Sequence, residues 1–175
     1  YSYGWNASIE LRYISPSDTT GSSFIYVDSA MLEKGRGSST YSLLGNGGFE
    51  KNATGWTFTN AALSTADPFD GNQSIKITGQ ATKEANAKAT QNFLYSNAEG
   101  PSGETYYMDG PMSFVVSGWG KATSVKTEYP EDYEANTAKF PNFALKAVFH
   151  YYDTDFTSTH YIPFNDKVTG WQFAS

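Results

Sequence analysis

Apolar and polar residues alternate along much of this chain. Ala7, Ile9, Leu11 and Tyr13 are interleaved with Ser8, Glu10 and Arg12. Side chains on an extended strand alternate between two faces, so this run predicts a core face and a solvent face. The same period returns in Phe143, Leu145, Ala147, Phe149 and Tyr151. The turn Asp153-Thr154-Asp155 then leads into Phe156–Phe164, which predicts a hairpin. Further strands are expected at Phe24–Val27 running on toward Gly35, at Trp56–Thr59, at Ser74–Thr78, at Lys88–Tyr95 and at Met112–Gly120. Segments 97–110 and 123–141 are polar and read as loops. With nine or ten short strands and no convincing helix, the pattern predicts an all-β fold: a jelly-roll β-sandwich of two antiparallel sheets.

The pair Gly4-Trp5 recurs at Gly170-Trp171, the first copy opening a strand-like run and the second lying near the last residue, Ser175. The echo suggests one window of a tandem array, out of phase with its domain boundaries. Residues 1–35 would be the closing strands of a repeat, 36–40 a Gly/Ser-rich linker, and 41–175 the opening strands and body. A sandwich lacking its last two strands would expose core and sheet edges. Residues 1–35 supply two strands of that kind, so all 175 residues are expected to form a single sandwich.

Composition narrows the function classes. Aromatic residues make up 17% and charged residues only 17%, with a net charge of −6. Phosphate binding needs clustered Lys and Arg, so the charge argues against nucleic acid as a partner. No apolar run reaches the ~20 residues of a membrane-spanning helix, so no membrane insertion is expected. The chain has no cysteine, which excludes a disulfide scaffold, a thiol nucleophile and a thiolate metal site. That absence fits a cytosolic protein and equally a Gram-positive surface protein, and the polar, Tyr-rich composition points to the second: a secreted or cell-surface protein of a Gram-positive-type bacterium.

Five segments resemble a known family. Leu44-Gly45-Asn46-Gly47-Gly48-Phe49-Glu50, followed by Gly55-Trp56, is similar to the opening of family 4/9-type carbohydrate-binding modules, which are galactose-binding-like jelly rolls. Gly71–Ile77 and Phe114–Ala122 resemble strands of that family, Thr169–Gln172 resembles the segment that precedes its last two strands, and Phe24–Gly35 resembles its closing strand. The order is permuted, and similar repeats occur in tandem in bacterial cell-surface proteins, including those carrying Rhs/YD repeats. The resemblance implies a non-catalytic module that binds a glycan or polysaccharide beside neighbouring repeats of its own chain. The alternative is a ligand-free spacer or stalk repeat of a surface protein.

The resemblance also implies a structural Ca²⁺ held by Glu50 and Asp28, with Asp70 or Asn72 from the adjacent turn. Ca²⁺ takes six to eight oxygens, mixing carboxylates with carbonyls. Sugars stack on aromatic faces and hydrogen-bond to polar side chains. The expected glycan site is the outer face of one sheet, with Lys146, His150 and Tyr152 joined by Trp119 and by the amide of Gln91 or Asn92. Trp5, Trp56 and Trp171 are expected to pack in the core. No nucleophile, phosphate-binding or zinc-protease motif is present, and His150 and His160 are expected to be neighbours across the hairpin. The chain is therefore expected not to be an enzyme.

Overall fold

The computed structural model describes residues 5–13, 23–35, 42–79, 87–95, 113–122, 143–151, 157–165 and 168–175. The expected linker 36–40, the insertion 123–141 and Tyr152 lie outside the described residues. Among the described residues ten strands are formed: β1 (Trp5–Tyr13), β2 (Phe24–Lys34), β3 (Thr57–Thr59), β4 (Ala61–Ser64), β5 (Ser74–Thr78), β6 (Ala87–Tyr95), β7 (Phe114–Ala122), β8 (Phe143–Tyr151), β9 (Thr157–Pro163) and β10 (Gln172–Ala174). They build two antiparallel five-stranded sheets, ordered β3-β6-β1-β8-β9 (sheet I) and β10-β7-β2-β5-β4 (sheet II). No helix among the described residues is long and apolar enough to cross a membrane.

The two N-terminal strands complete the sandwich from its middle. Strand β1 is the third of five in sheet I and β2 the third of five in sheet II. All nine residues of β1 pair with β6 on one side and β8 on the other. Without β1 and β2 each sheet would split into two-stranded pieces, which are marginal in water.

The core is what the alternation requires. Ile9, Leu11, Tyr13, Ala89, Leu145 and Ala147 on sheet I face Ile25, Val27, Leu32, Ile75 and Ile77 on sheet II, all buried. Each such Ile or Leu contributes roughly 1.5–3 kcal/mol over leaving it exposed. On β7 the inward positions include Gly118 and Gly120, which make room for Leu145 and for the stacked rings of Phe143 and Phe164.

The segment Gly45–Trp56 folds against β2 at a β-bulge between Asp28 and Met31. Asn46 organises it: Nδ2 donates to the carbonyls of Asn52 (2.8 Å) and Thr54 (3.2 Å), and Oδ1 accepts from Lys51 N–H (2.9 Å). The buried Trp56 indole donates to the carbonyls of Gly45 and Asn46, and its ring lies 5.2 Å from that of Phe49. At the contact with the bulge, Ala30 N–H donates to Gly47 C=O (3.0 Å). A Cβ on Gly47 would stand 1.9 Å from the Ala30 carbonyl oxygen, while one on Gly48 would meet nothing within 4 Å. Gly47→Ala is therefore expected to destabilise the protein by about 2–3 kcal/mol through overpacking against backbone, and Gly48→Ala by less than about 0.5 kcal/mol. Urea unfolding of the pair measures the contrast.

Candidate functional site

Alternation along β2 places Asp28 on the outer face of sheet II, just before the bulge and paired across the strand with Trp119 of β7. Its carboxylate is fully buried and takes three backbone N–H groups. Oδ1 accepts from Ser29 (2.6 Å), and Oδ2 from Phe69 (2.9 Å) and Asp70 (3.2 Å). The last two lie in the loop between β4 and β5, so Asp28 holds that loop down over the sheet. Burial pushes the Asp28 carboxyl above the usual carboxylate range against the pull of those N–H groups, and the nearby Glu50 charge adds to the rise.

Glu50 anchors the far side of the same loop. Its Oε1 accepts from the N–H groups of Asn72 and Gln73 (both 2.8 Å), and Oε2 from the Asn72 side chain (3.2 Å). The backbone bonds from Asn72 and Gln73 hold the Glu50 carboxyl below its ordinary value. Gly71 lies between, at φ 68°, and a Cβ there would sit 2.6 Å from Glu50 Oε1. Asp70 Oδ1 accepts from Gly71 N–H, and Asp67 pairs with Lys121 of β7.

The four residues expected to hold Ca²⁺, namely Asp28, Glu50, Asp70 and Asn72, do converge on one loop. What faces the carboxylates, however, is a set of N–H donors. Six N–H groups, five backbone and one side-chain, meet Asp28 and Glu50. A Ca²⁺ shell requires oxygens, and no group of three or more Asp, Glu or His among the described residues could hold a metal ion. In this arrangement the set does not fit the cation; it works as a clamp on the loop.

The clamp delivers an aromatic ring. Phe69 stacks on Trp119 with centroids 3.9 Å apart and planes 14° from parallel. Phe173 of β10 pairs with Trp119 in register and lies against it at 5.5 Å, and Trp171 meets Phe69 at 5.7 Å. Trp171 is only half-buried, contrary to the expectation of a core residue, whereas Trp56 fits that expectation. The side chain of Trp5 lies outside the described residues.

The expected glycan cluster does not assemble. Trp119 is on the outer face of sheet II, while Lys146 and His150 are on the outer face of sheet I, across the whole sandwich. Gln91 points inward and is buried, with Oε1 accepting from Gly45 N–H (2.8 Å) and Nε2 donating to Gly45 C=O (2.9 Å). It pins the Gly45 turn and is closed to a ligand. His150 pairs with Thr157 and His160 with Ala147, so the two imidazoles are on opposite faces of sheet I and cannot act on one group.

Sheet I offers a different constellation on its outer face. Lys88, Glu10 and Lys146 come from three adjacent strands, each lysine Nζ 3.1 Å from a different Glu10 oxygen. Burial opposes the Glu10 charge, but the bonds and charges of Lys88 and Lys146 prevail and its carboxyl is held below the ordinary value. Its contribution to stability is thus present above the unfolded carboxylate value and is lost as pH falls through the lower folded one. Arg12 pairs in register with Lys88, and Thr90 with Glu10. The buried Arg12 Nε and Thr90 Oγ1 make no hydrogen bond. Three cations and one anion thus share the central strands of this face. The alternation signals which residues point outward; the neighbouring of β6, β1 and β8 has no local signature.

Asp28→Ala is expected to leave three backbone donors without an acceptor and to cost about 3 kcal/mol. Amide exchange at Phe69 and Asp70 should rise, and the Trp119 indole resonance should shift as Phe69 leaves it, both read by NMR.

No family model matches the chain, and no solved structure matches it. Two curated proteins do. The "tRNA(Glu)-specific nuclease WapA" of Bacillus subtilis subsp. natto (strain BEST195) is 24% identical over 120 residues, which is 69% of this chain and 5% of that protein. The "tRNA nuclease WapA" of Bacillus subtilis (strain 168) is 24% identical over the same share of each. The expected non-catalytic carbohydrate-binding module, its alternative as a ligand-free spacer, and the expectation that the chain is no enzyme are corrected by this finding, because the matched proteins are named as nucleases.

Proposed function

We propose that this chain is one β-sandwich module of a much larger protein of the tRNA-nuclease kind, and that it serves that protein by engaging RNA on the outer face of sheet I. The similarity to two tRNA nucleases over 69% of the chain carries the reading. Cleavage of tRNA is proposed for the larger protein, of which this module is a small part.

The face has the chemistry that an RNA backbone uses. Lys88, Arg12 and Lys146 supply cations for phosphates, with Glu10 holding the two lysines in place. Thr90 and then Thr57 continue the cross-strand row of Glu10 toward the β3 edge, and Thr159 and Thr157 line β9 beside Val148 and His150. Hydroxyl and amide side chains join Lys and Arg in contacts to phosphate and sugar. A net charge of −6 belongs to the whole chain, whereas phosphate responds to the local potential, which on this face is set by Lys88, Arg12 and Lys146 around Glu10.

With three cations engaged, the log of affinity should fall with log salt at a slope of roughly −2. Fluorescence anisotropy of labelled tRNA is expected to show weak binding that falls about tenfold when monovalent salt is tripled. Arg12→Gln combined with Lys88→Gln should lower affinity about tenfold more. No binding at low salt, or binding indifferent to the double variant, would contradict the proposal.

A further inference from the structure

The opposite face of the sandwich has the opposite character. Among the described residues the exposed large hydrophobic side chains are Phe69, Val168 and Phe173, and two of these three flank Trp119. Phe69 is 39% exposed although one of its faces is covered by Trp119, and Phe173 is 53% exposed at the edge strand β10. The rings form a shelf on the outer face of sheet II, and the clamp built by Asp28 and Glu50 holds Phe69 in it.

The loop that carries Phe69 is acidic. Asp70 is exposed and uses one oxygen on Gly71 N–H. Glu50, reaching that loop from the Gly45–Trp56 segment, is exposed and charged, its carboxyl held below the ordinary range by the Asn72 and Gln73 N–H groups. Asp67 is neutralised by Lys121. Aromatic faces beside uncompensated carboxylates suit a cation that is itself flat. A guanidinium stacks on a ring and forks onto a carboxylate at once, whereas an ammonium does only part of this. An unpaired base would also stack on the rings, but its phosphates would meet Asp70 and Glu50.

We propose that the shelf of Phe69, Trp119 and Phe173, with Asp70 at its rim, is a docking surface for an arginine-bearing polypeptide segment. The arginine side chain lies flat on the exposed Phe69 and Phe173 rings and donates to the free oxygen of Asp70. The proposal is independent of RNA binding on sheet I, which lies on the other side of the core.

A hexa-arginine peptide titrated into the ¹⁵N-labelled chain provides the test, with hexa-lysine and oligouridine as parallel probes. The expected result is saturable movement of the Trp119 indole resonance with hexa-arginine, with hexa-lysine about fivefold weaker. Phe173→Ala, a change at an exposed side chain, should weaken hexa-arginine about tenfold, and Asp70→Asn about threefold. Absence of saturable shifts, equal affinity for the two cationic peptides, an unaffected Phe173→Ala variant, or saturation of the same resonance by oligouridine would each overturn the proposal. Loss of tRNA binding in Arg12→Gln with Lys88→Gln, without change here, keeps the two faces separate.

Discussion

The structure depends on two strands that hydrogen-bond on both edges. Strand β1 ties β6 to β8, and β2 ties β5 to β7. Because these central strands come from the first 35 residues, each face inherits its key side chain from one of them. Glu10 sits where two lysines from flanking strands can reach it, and Asp28 sits where a loop can be pulled down beside Trp119. Both carboxylates are largely removed from water, and a buried carboxylate is tolerable only where donors meet it. Donors do so in both places: ammonium groups at Glu10, backbone N–H groups at Asp28.

The strands themselves were legible. Alternation located β1, β8 and their inward residues, because half-buried strands expose the period directly. The expectation that residues 1–35 close the same sandwich follows from the exposed edges that their loss would create, and the sheet orders agree with it. Strand β4 and the pairing of β10 were not legible: strands of three or four residues at a sheet edge carry too little pattern.

Grouping was where the sequence stopped informing. Trp119 and His150 each point outward from a strand, but which sheet a strand joins depends on long-range pairing, and the two residues ended on opposite sides of the core. Gln91 stood on the apolar side of its strand, and that position was the available sign that its amide serves the fold. Asp28, Glu50, Asp70 and Asn72, which the resemblance groups, meet at one loop, and N–H donors face the carboxylates of Asp28 and Glu50. In Asp67-Pro68-Phe69-Asp70-Gly71-Asn72 the N–H groups of the last four residues are taken by carboxylates, which are drawn to such donors as readily as to a cation. The motif names the side chains; the donors that face them come from the backbone of the turn.

The central claim is that β1 and β2 hold both sheets together, and native-state hydrogen exchange of the whole chain addresses it most directly. The account predicts that the amides of Ile9, Leu11, Ile25 and Val27 are among the slowest to exchange and open only with global unfolding. If the amides of β1 and β2 exchanged freely while those of β5 to β8 stayed protected, the N-terminal strands would be an appendage, and the account would fail.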